Sequence, residues 1–242
     1  MKLCKREYLL PLSAGLGGLG LCCRWGLYAL AVDDRGLLVA GHPLAFCLVA
    51  VMLAALALAV TAARGEPGTA VYAENFSADP VAGAGCFALA IGVAATVLLC
   101  AGEGNTMLAP WRLLGSLAAV GLCAVGVARI RGSKPPFWGY LLACLFLLVH
   151  LMGHYQVWSA DPQIVDHLYA LLGGVALMLF AYQSAAFAVD SGKGRSYRVS
   201  GVLAVVLCLT AVPGCGYPGV YLGGAVFAGA GLRLGKETEG TP

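Results

Sequence analysis

Charge is what this chain has least of. Its 15 lysines and arginines and 12 aspartates and glutamates make up 11% of 242 residues, against roughly 25% in soluble domains. With 60% hydrophobic residues and a mean hydropathy of +0.84, a soluble domain of this length could not hide its apolar surface. There is no Cys-x-x-Cys pair, so a zinc ribbon or a thioredoxin-like dithiol has no support. There is no Walker A sequence, so the chain has no phosphate loop with which to drive transport itself. Short alternating segments are missing too: the apolar runs are continuous and about 20 residues long, where barrel strands would be about ten residues and alternating. In hydrocarbon every backbone donor and acceptor must be paired within the protein, so these runs predict helices.

Eight spans are predicted, at about Tyr8–Val32, Pro43–Ala63, Pro80–Ala101, Leu108–Ile130, Pro136–Gln156, Ile164–Val189, Tyr197–Val212 and Tyr217–Leu234. The gaps are short and rich in Gly, Pro, Asp and Ser, as turns should be. Basic residues fall into every second gap. Lys2, Lys5, Arg6, Arg64, Arg129, Arg131, Lys134, Lys193, Arg195, Arg198, Arg233 and Lys236 share one face, leaving Arg24, Arg35 and Arg112 for the other. By the positive-inside tendency the crowded face is cytoplasmic. The expected fold is therefore an all-α polytopic transmembrane bundle, one integral membrane domain over residues 1–242, in the cell membrane with both termini cytoplasmic. The net charge of +3 reads as a topology signal beside a lipid bilayer and gives no support for nucleic acid. A re-entrant hairpin turned at Pro213–Pro218 is the alternative for the last two spans. The N-terminus imitates a signal peptide, ending Ala29-Leu30-Ala31 before Asp33, but the apolar run is long and retention as a span is expected.

Several patterns have bland explanations. Gly15, Gly17 and Gly20 match the dinucleotide fingerprint but lie inside an apolar helix with no strand before them, so they predict a packing stripe. Small residues four apart (Ser13 and Gly17, Gly18 and Cys22, Gly115 and Ala119, Gly219 and Gly223, Gly224 and Ala228) predict close helix contacts within the bundle. Trp25, Trp111, Trp158, Tyr155 and Tyr217 are expected as interfacial anchors at one face, Trp138 and Tyr197 at the other. Ser-Ala-Asp-Pro occurs at Ser77–Pro80 and Ser159–Pro162. It would relate two halves of an inverted repeat, but Asp as N-cap with Pro at the first helical position is the simpler account. Asn75-Phe76-Ser77 matches a glycosylation sequon on the face expected to be cytoplasmic, and is set aside. Most cysteines, among them Cys47, Cys86, Cys123, Cys144 and Cys208, lie in apolar runs as small hydrophobes.

The less basic face gathers the candidate chemistry. His42, His150, His154 and His167 all map to its third of the membrane or its loops. His150 and His154 are four apart, so their rings share one helix face. Asp166 and His167 follow across a short loop, near Asp161 and Gln163. Two imidazoles with a third nitrogen or a carboxylate can hold a divalent metal. His150, His154, His167 and Asp166 are therefore the candidate metal ligands, against the ordinary alternative of interfacial histidines bonded to neighbours or water. The residue after His150 is Leu151, so the glutamate of the His-Glu-x-x-His peptidase motif is missing. Gln183 and Ser184 could line a pathway, though hydrogen bonds between helices explain them as well.

The strings Tyr8-Leu9-Leu10-Pro11, Gly41-His42-Pro43 and Tyr72-Ala73-Glu74-Asn75-Phe76 resemble a group of uncharacterised multi-spanning membrane proteins of anaerobic gut Firmicutes. So do Pro135-Pro136-Phe137-Trp138, Trp158-Ser159-Ala160-Asp161-Pro162-Gln163 and Phe180-Ala181-Tyr182. The resemblance implies an integral membrane location in a bacterium and makes structural disulfides less expected. It brings no activity and no catalytic residues. The leading expectation is a non-enzymatic membrane protein that moves or senses a small solute, with any energy-coupling partner a separate subunit. A metal-dependent membrane enzyme or redox anchor on the outer histidines is one alternative; a structural or interaction subunit is another.

Overall fold

The computed structural model describes residues 8–31, 41–64, 69–99, 108–158 and 164–232, and every regular element among them is helical. Chain order gives α1 Leu9–Leu30, α2 Pro43–Ala63, α3 Tyr72–Asn75, α4 Pro80–Leu99, α5 Leu108–Ile130, α6 Phe137–Trp158, α7 Ile164–Ala188, α8 Gly194–Ala211 and α9 Pro218–Leu232. Apart from the single turn α3, these follow the eight expected spans to within three residues at each end. Five of them, α2, α4, α5, α6 and α7, are long and apolar enough to cross a bilayer, with mean hydropathy from 1.6 in α6 and α7 to 2.7 in α2. Such helices make this a membrane protein in contact with lipid.

Local sequence explains where the helices start and stop. At α4 the Asp79 carboxylate accepts the backbone N–H of Val81 at 2.7 Å, with Pro80 in the first turn. This is the generic Asp-Pro start expected of Ser77–Pro80; the second copy lies outside the described residues. At α2, His42 Nδ1 accepts from the Leu44 N–H at 3.3 Å, so this histidine serves as an N-cap. Helices α5 and α7 close alike. Ser133 N–H bonds to Ala128 O and Gly132 N–H to Arg129 O; Ser191 N–H bonds to Ala186 O and Asp190 N–H to Phe187 O. Both are Schellman closures with a left-handed residue at the turn. Gly132 (φ 67°) suits that position, whereas Asp190 (φ 56°) occupies it against the usual preference.

Helices α4 to α9 pack in a ring, each against the next, with α9 closing on α4 and also touching α7; α1 and α2 dock outside on α8. Glycine sets the tightest seam. A Cβ at Gly92 of α4 would land on the Gly219 carbonyl of α9, and one at Gly223 would meet the backbone at Ala88 and Leu89. The Gly219–Gly223 stripe thus packs within the bundle as expected. Gly17 and Gly20 likewise face Leu209 and Thr210 of α8, while nothing approaches Gly15, so two of the three fingerprint glycines pack against a neighbour. The Gly18–Cys22 stripe differs, because nothing approaches Gly18 and Cys22 is exposed. Inside the ring lies a core of aromatics, with Tyr140, Phe146, Phe180 and Tyr221 all under 2% exposed.

Pairing Gly92 with Gly219 also fixes depth. Helix α4 continues seven residues beyond this contact, about 10 Å at 1.5 Å per residue. The α8–α9 turn at 212–217 is therefore recessed below the end of its neighbour. At 15 residues, α9 spans about 22 Å, short of the roughly 30 Å hydrocarbon layer.

Candidate functional site

Helix α6 brings His150 and His154 onto one face, one turn apart, as their spacing requires. Their rings meet edge to face with centroids 4.4 Å apart. From α5, Trp111 stacks over His150 at 5.9 Å, and Phe146, one turn earlier on α6, stacks at 5.7 Å. The recessed turn supplies Tyr217, whose ring lies 5.5 Å from His150 and 4.5 Å from His154. His150 is thus boxed on several sides and only 2% exposed, while His154 and Tyr217 remain partly accessible.

Neither Nδ1 nor Nε2 of His150 meets a hydrogen-bond partner among the described residues. A neutral imidazole offers one donor and one acceptor, and an unmet buried group costs about 1–3 kcal/mol. The buried ring therefore has one donor and one acceptor to offer a polar partner. Two imidazoles on one helix face are also the beginning of a transition-metal site. His167, at the start of α7, lies within electrostatic reach of His154. The side chain of Asp166 falls outside the described residues, as do Asp161 and Gln163. Among the described residues no three His, Cys, Asp or Glu side chains converge to hold a metal ion. His42 is engaged in capping α2 and does not join the cluster.

Three sequence expectations need correction here. Trp111 is no interfacial anchor: at 7% exposure it is a wall of the His150 box, because its position on α5 turns it to α6. Tyr197 is likewise buried, whereas Trp25, Trp138 and Tyr155 are exposed as anchors should be. Ser184 does not bridge helices but bonds back to Phe180 O on its own helix at 2.9 Å.

The opposite, basic face holds residues that sequence reasoning missed. Arg129 at the end of α5 was counted only as a topology charge, yet it is 3% exposed. Its Nε donates to Tyr140 Oη at 3.2 Å. Its guanidinium carbon lies 4.6 Å from the Phe76 ring centroid and 5.7 Å from that of Tyr72. Tyr197 of α8 and Cys86 of α4 complete its surroundings. The segment Tyr72–Phe76, comprising α3 and the next residue, covers this cage. Its two rings stack at 4.9 Å, and Phe76 packs on Phe187 and Tyr197. Asp190 holds the segment down: Oδ1 accepts the Tyr72 N–H at 2.8 Å, and Oδ2 pairs with Lys134. Only one sequence signal was available, the strings Tyr72–Phe76 and Pro135–Trp138 beside a basic loop.

At the less basic face, Arg24 of α1 is also buried. Its Nη1 donates to Thr210 O at 3.1 Å and its Nη2 to Tyr28 Oη at 3.2 Å, and the group lies over the Tyr169 ring. It caps the carbonyl end of α8, where a cation suits the helix dipole.

Compared with known proteins, the chain matches no family model, no curated protein and no solved structure.

Proposed function

We propose that this is an eight-span protein of the cell membrane, both termini cytoplasmic, that binds a small polar solute from outside as a transport or sensing component. The alternation of basic gaps supports the orientation. Helices α1, α8 and α9 are read as crossings because they pack in register with the five apolar ones. Depth favours a short, recessed crossing for α9 over a re-entrant hairpin, since α9 runs along α4 from Gly92 to Gly85. The observation that carries the functional reading is His150: an ionisable side chain inside a span, both nitrogens unmet, set beside a recessed turn.

A second reading keeps the same residues and makes the ligand a divalent transition metal, held by His150 and His154 with His167 or Asp166. The 4.4 Å approach of the first two rings favours it. One experiment separates the two. Purified protein is screened by ligand-induced thermal stabilisation against amino acids, monocarboxylates, nucleobases, Zn2+ and Co2+, with His150→Phe as the comparison. Stabilisation by an organic solute that disappears in His150→Phe supports the first reading, and a metal-only response supports the second. Ligands that stabilise both proteins equally, or none that stabilises either, would remove both in favour of a structural subunit. For orientation, a cysteine at exposed Ser133 should react with impermeant maleimide only from the cytoplasmic side; Gly132 is avoided because its φ of 67° strains any side chain.

A further inference from the structure

Among the described residues no acid faces the buried Arg129 cation. The groups that face it from α3, α4, α5, α6 and α8 are neutral: the hydroxyls of Tyr72, Tyr140 and Tyr197, the Cys86 thiol and the Phe76 ring. Its Nη1 has no hydrogen-bond partner among the described residues. Asp190, an acid on the same face, is committed to Lys134 and the Tyr72 N–H. A guanidinium removed from water in this way calls for an anion, and its fork geometry fits the oxygens of carboxylate or phosphate.

The cover over the cage is packed on its inner side and open to a groove on its outer side. Tyr72 and Phe76 face Arg129 on one side and line a surface groove of about 390 Å³ on the other, together with Ser77, Lys134 and Asp190. The anchor of that cover is an aspartate in a left-handed position where glycine is the usual residue. The turn itself does not need a carboxylate. The cover does.

We propose that Arg129 and its tyrosine hydroxyls form an oxyanion-binding site at the basic face, closed by the Tyr72–Phe76 segment and latched by Asp190. An anion enters along the groove past Lys134, displaces the cover and accepts from Nη1, with the Tyr140 hydroxyl as a further donor, since the Tyr197 hydroxyl donates to Gly231 O. The site shares no residue with the histidine cluster, so either can fail without the other.

The test uses the full chain in nanodiscs of zwitterionic lipid, titrated with inorganic phosphate, sulfate and acetate. Binding is read by calorimetry and by faster alkylation of the buried Cys86 thiol as the cover is displaced. At least one anion is expected to bind saturably, and Arg129→Lys, which keeps the charge and loses the fork, should weaken it by about tenfold or more. Asp190→Gly keeps the turn geometry and removes the latch; it should accelerate anion association without abolishing binding, and it serves if Arg129→Lys does not fold. In a parallel arm the discs contain anionic phosphatidylglycerol. Faster Cys86 alkylation there, without any response to free anions, keeps the oxyanion site and assigns it to a lipid headgroup. The proposal is overturned if neither wild type nor Asp190→Gly responds to any anion or anionic lipid up to about 10 mM, or if Arg129→Lys binds as tightly as wild type.

Discussion

Replacing His150 by phenylalanine should make this protein more stable while removing its ligand response. Both ring nitrogens are buried and unmet, and removing a buried, unsatisfied donor and acceptor recovers about 1–3 kcal/mol for each. Against this stands the larger six-membered ring, pressed between Trp111, Phe146, His154 and Tyr217; overpacking of that kind costs about 1–3 kcal/mol. At mid-range about 4 kcal/mol is recovered against about 2 kcal/mol of overpacking, a gain of about 2 kcal/mol, or about 4–8 °C in Tm for a chain of this size. The comparison is His150→Ala, which loses both nitrogens and the packing, and should destabilise by about 2–5 kcal/mol as large-to-small core changes do. Thermal unfolding in a single detergent, followed by circular dichroism, measures both. If His150→Phe instead loses more than about 1 kcal/mol, the imidazole nitrogens have partners in the resting protein and the argument from unmet groups fails.

The other expectations concern the frame around the sites. Gly92→Leu drives a side chain into the α9 backbone and should cost about 3 kcal/mol or more, seen as loss of the monodisperse peak on size exclusion; Gly18→Ala, with nothing near it, should behave as wild type. Leu53 sits midway along α2 and is 63% exposed, so Leu53→Lys should lower membrane insertion by about 2.5–3.5 kcal/mol, measured as the inserted fraction. A neutral result there would mean that α2 does not face lipid. The Asp190 carboxyl is held below its ordinary value of 3.8, first by the hydrogen bond from Lys134 and then by that from the Tyr72 N–H. Because the folded value is the lower one, its anchoring is complete above 3.8 and is lost only as pH falls through that lower value. Hydrogen exchange over 69–79 should therefore stay slow in wild type down to about pH 4 and be fast at every pH in Asp190→Gly; equal rates in the two proteins would sink the latch.

Helix number and limits were legible because length and hydropathy act locally along the chain, and Asp79-Pro80 and Gly132 declare their ends without tertiary help. The histidine pair was legible for the same reason, since an i, i+4 spacing is a property of one helix. Trp111, Tyr197 and Arg129 were not. Each was read from distance to a span end, whereas its burial depends on which neighbour the helix turns it toward. A positive charge near a helix end scores alike for topology whether it lies in water, like Arg131, or inside a cage, like Arg129. Only the approach of the Tyr72 and Phe76 rings to Arg129 tells them apart, and that contact joins residues more than fifty positions apart.

Among the described residues the buried charges are two arginines, Arg24 near one end of the bundle and Arg129 near the other, with no buried carboxylate beside them. In a low-dielectric interior such charges set the electrostatic potential over many ångströms. Each arginine therefore makes its own surroundings electropositive, unfavourable to a cation and favourable to an anion. Charge sign is then the first property by which a species reaching either place would be sorted.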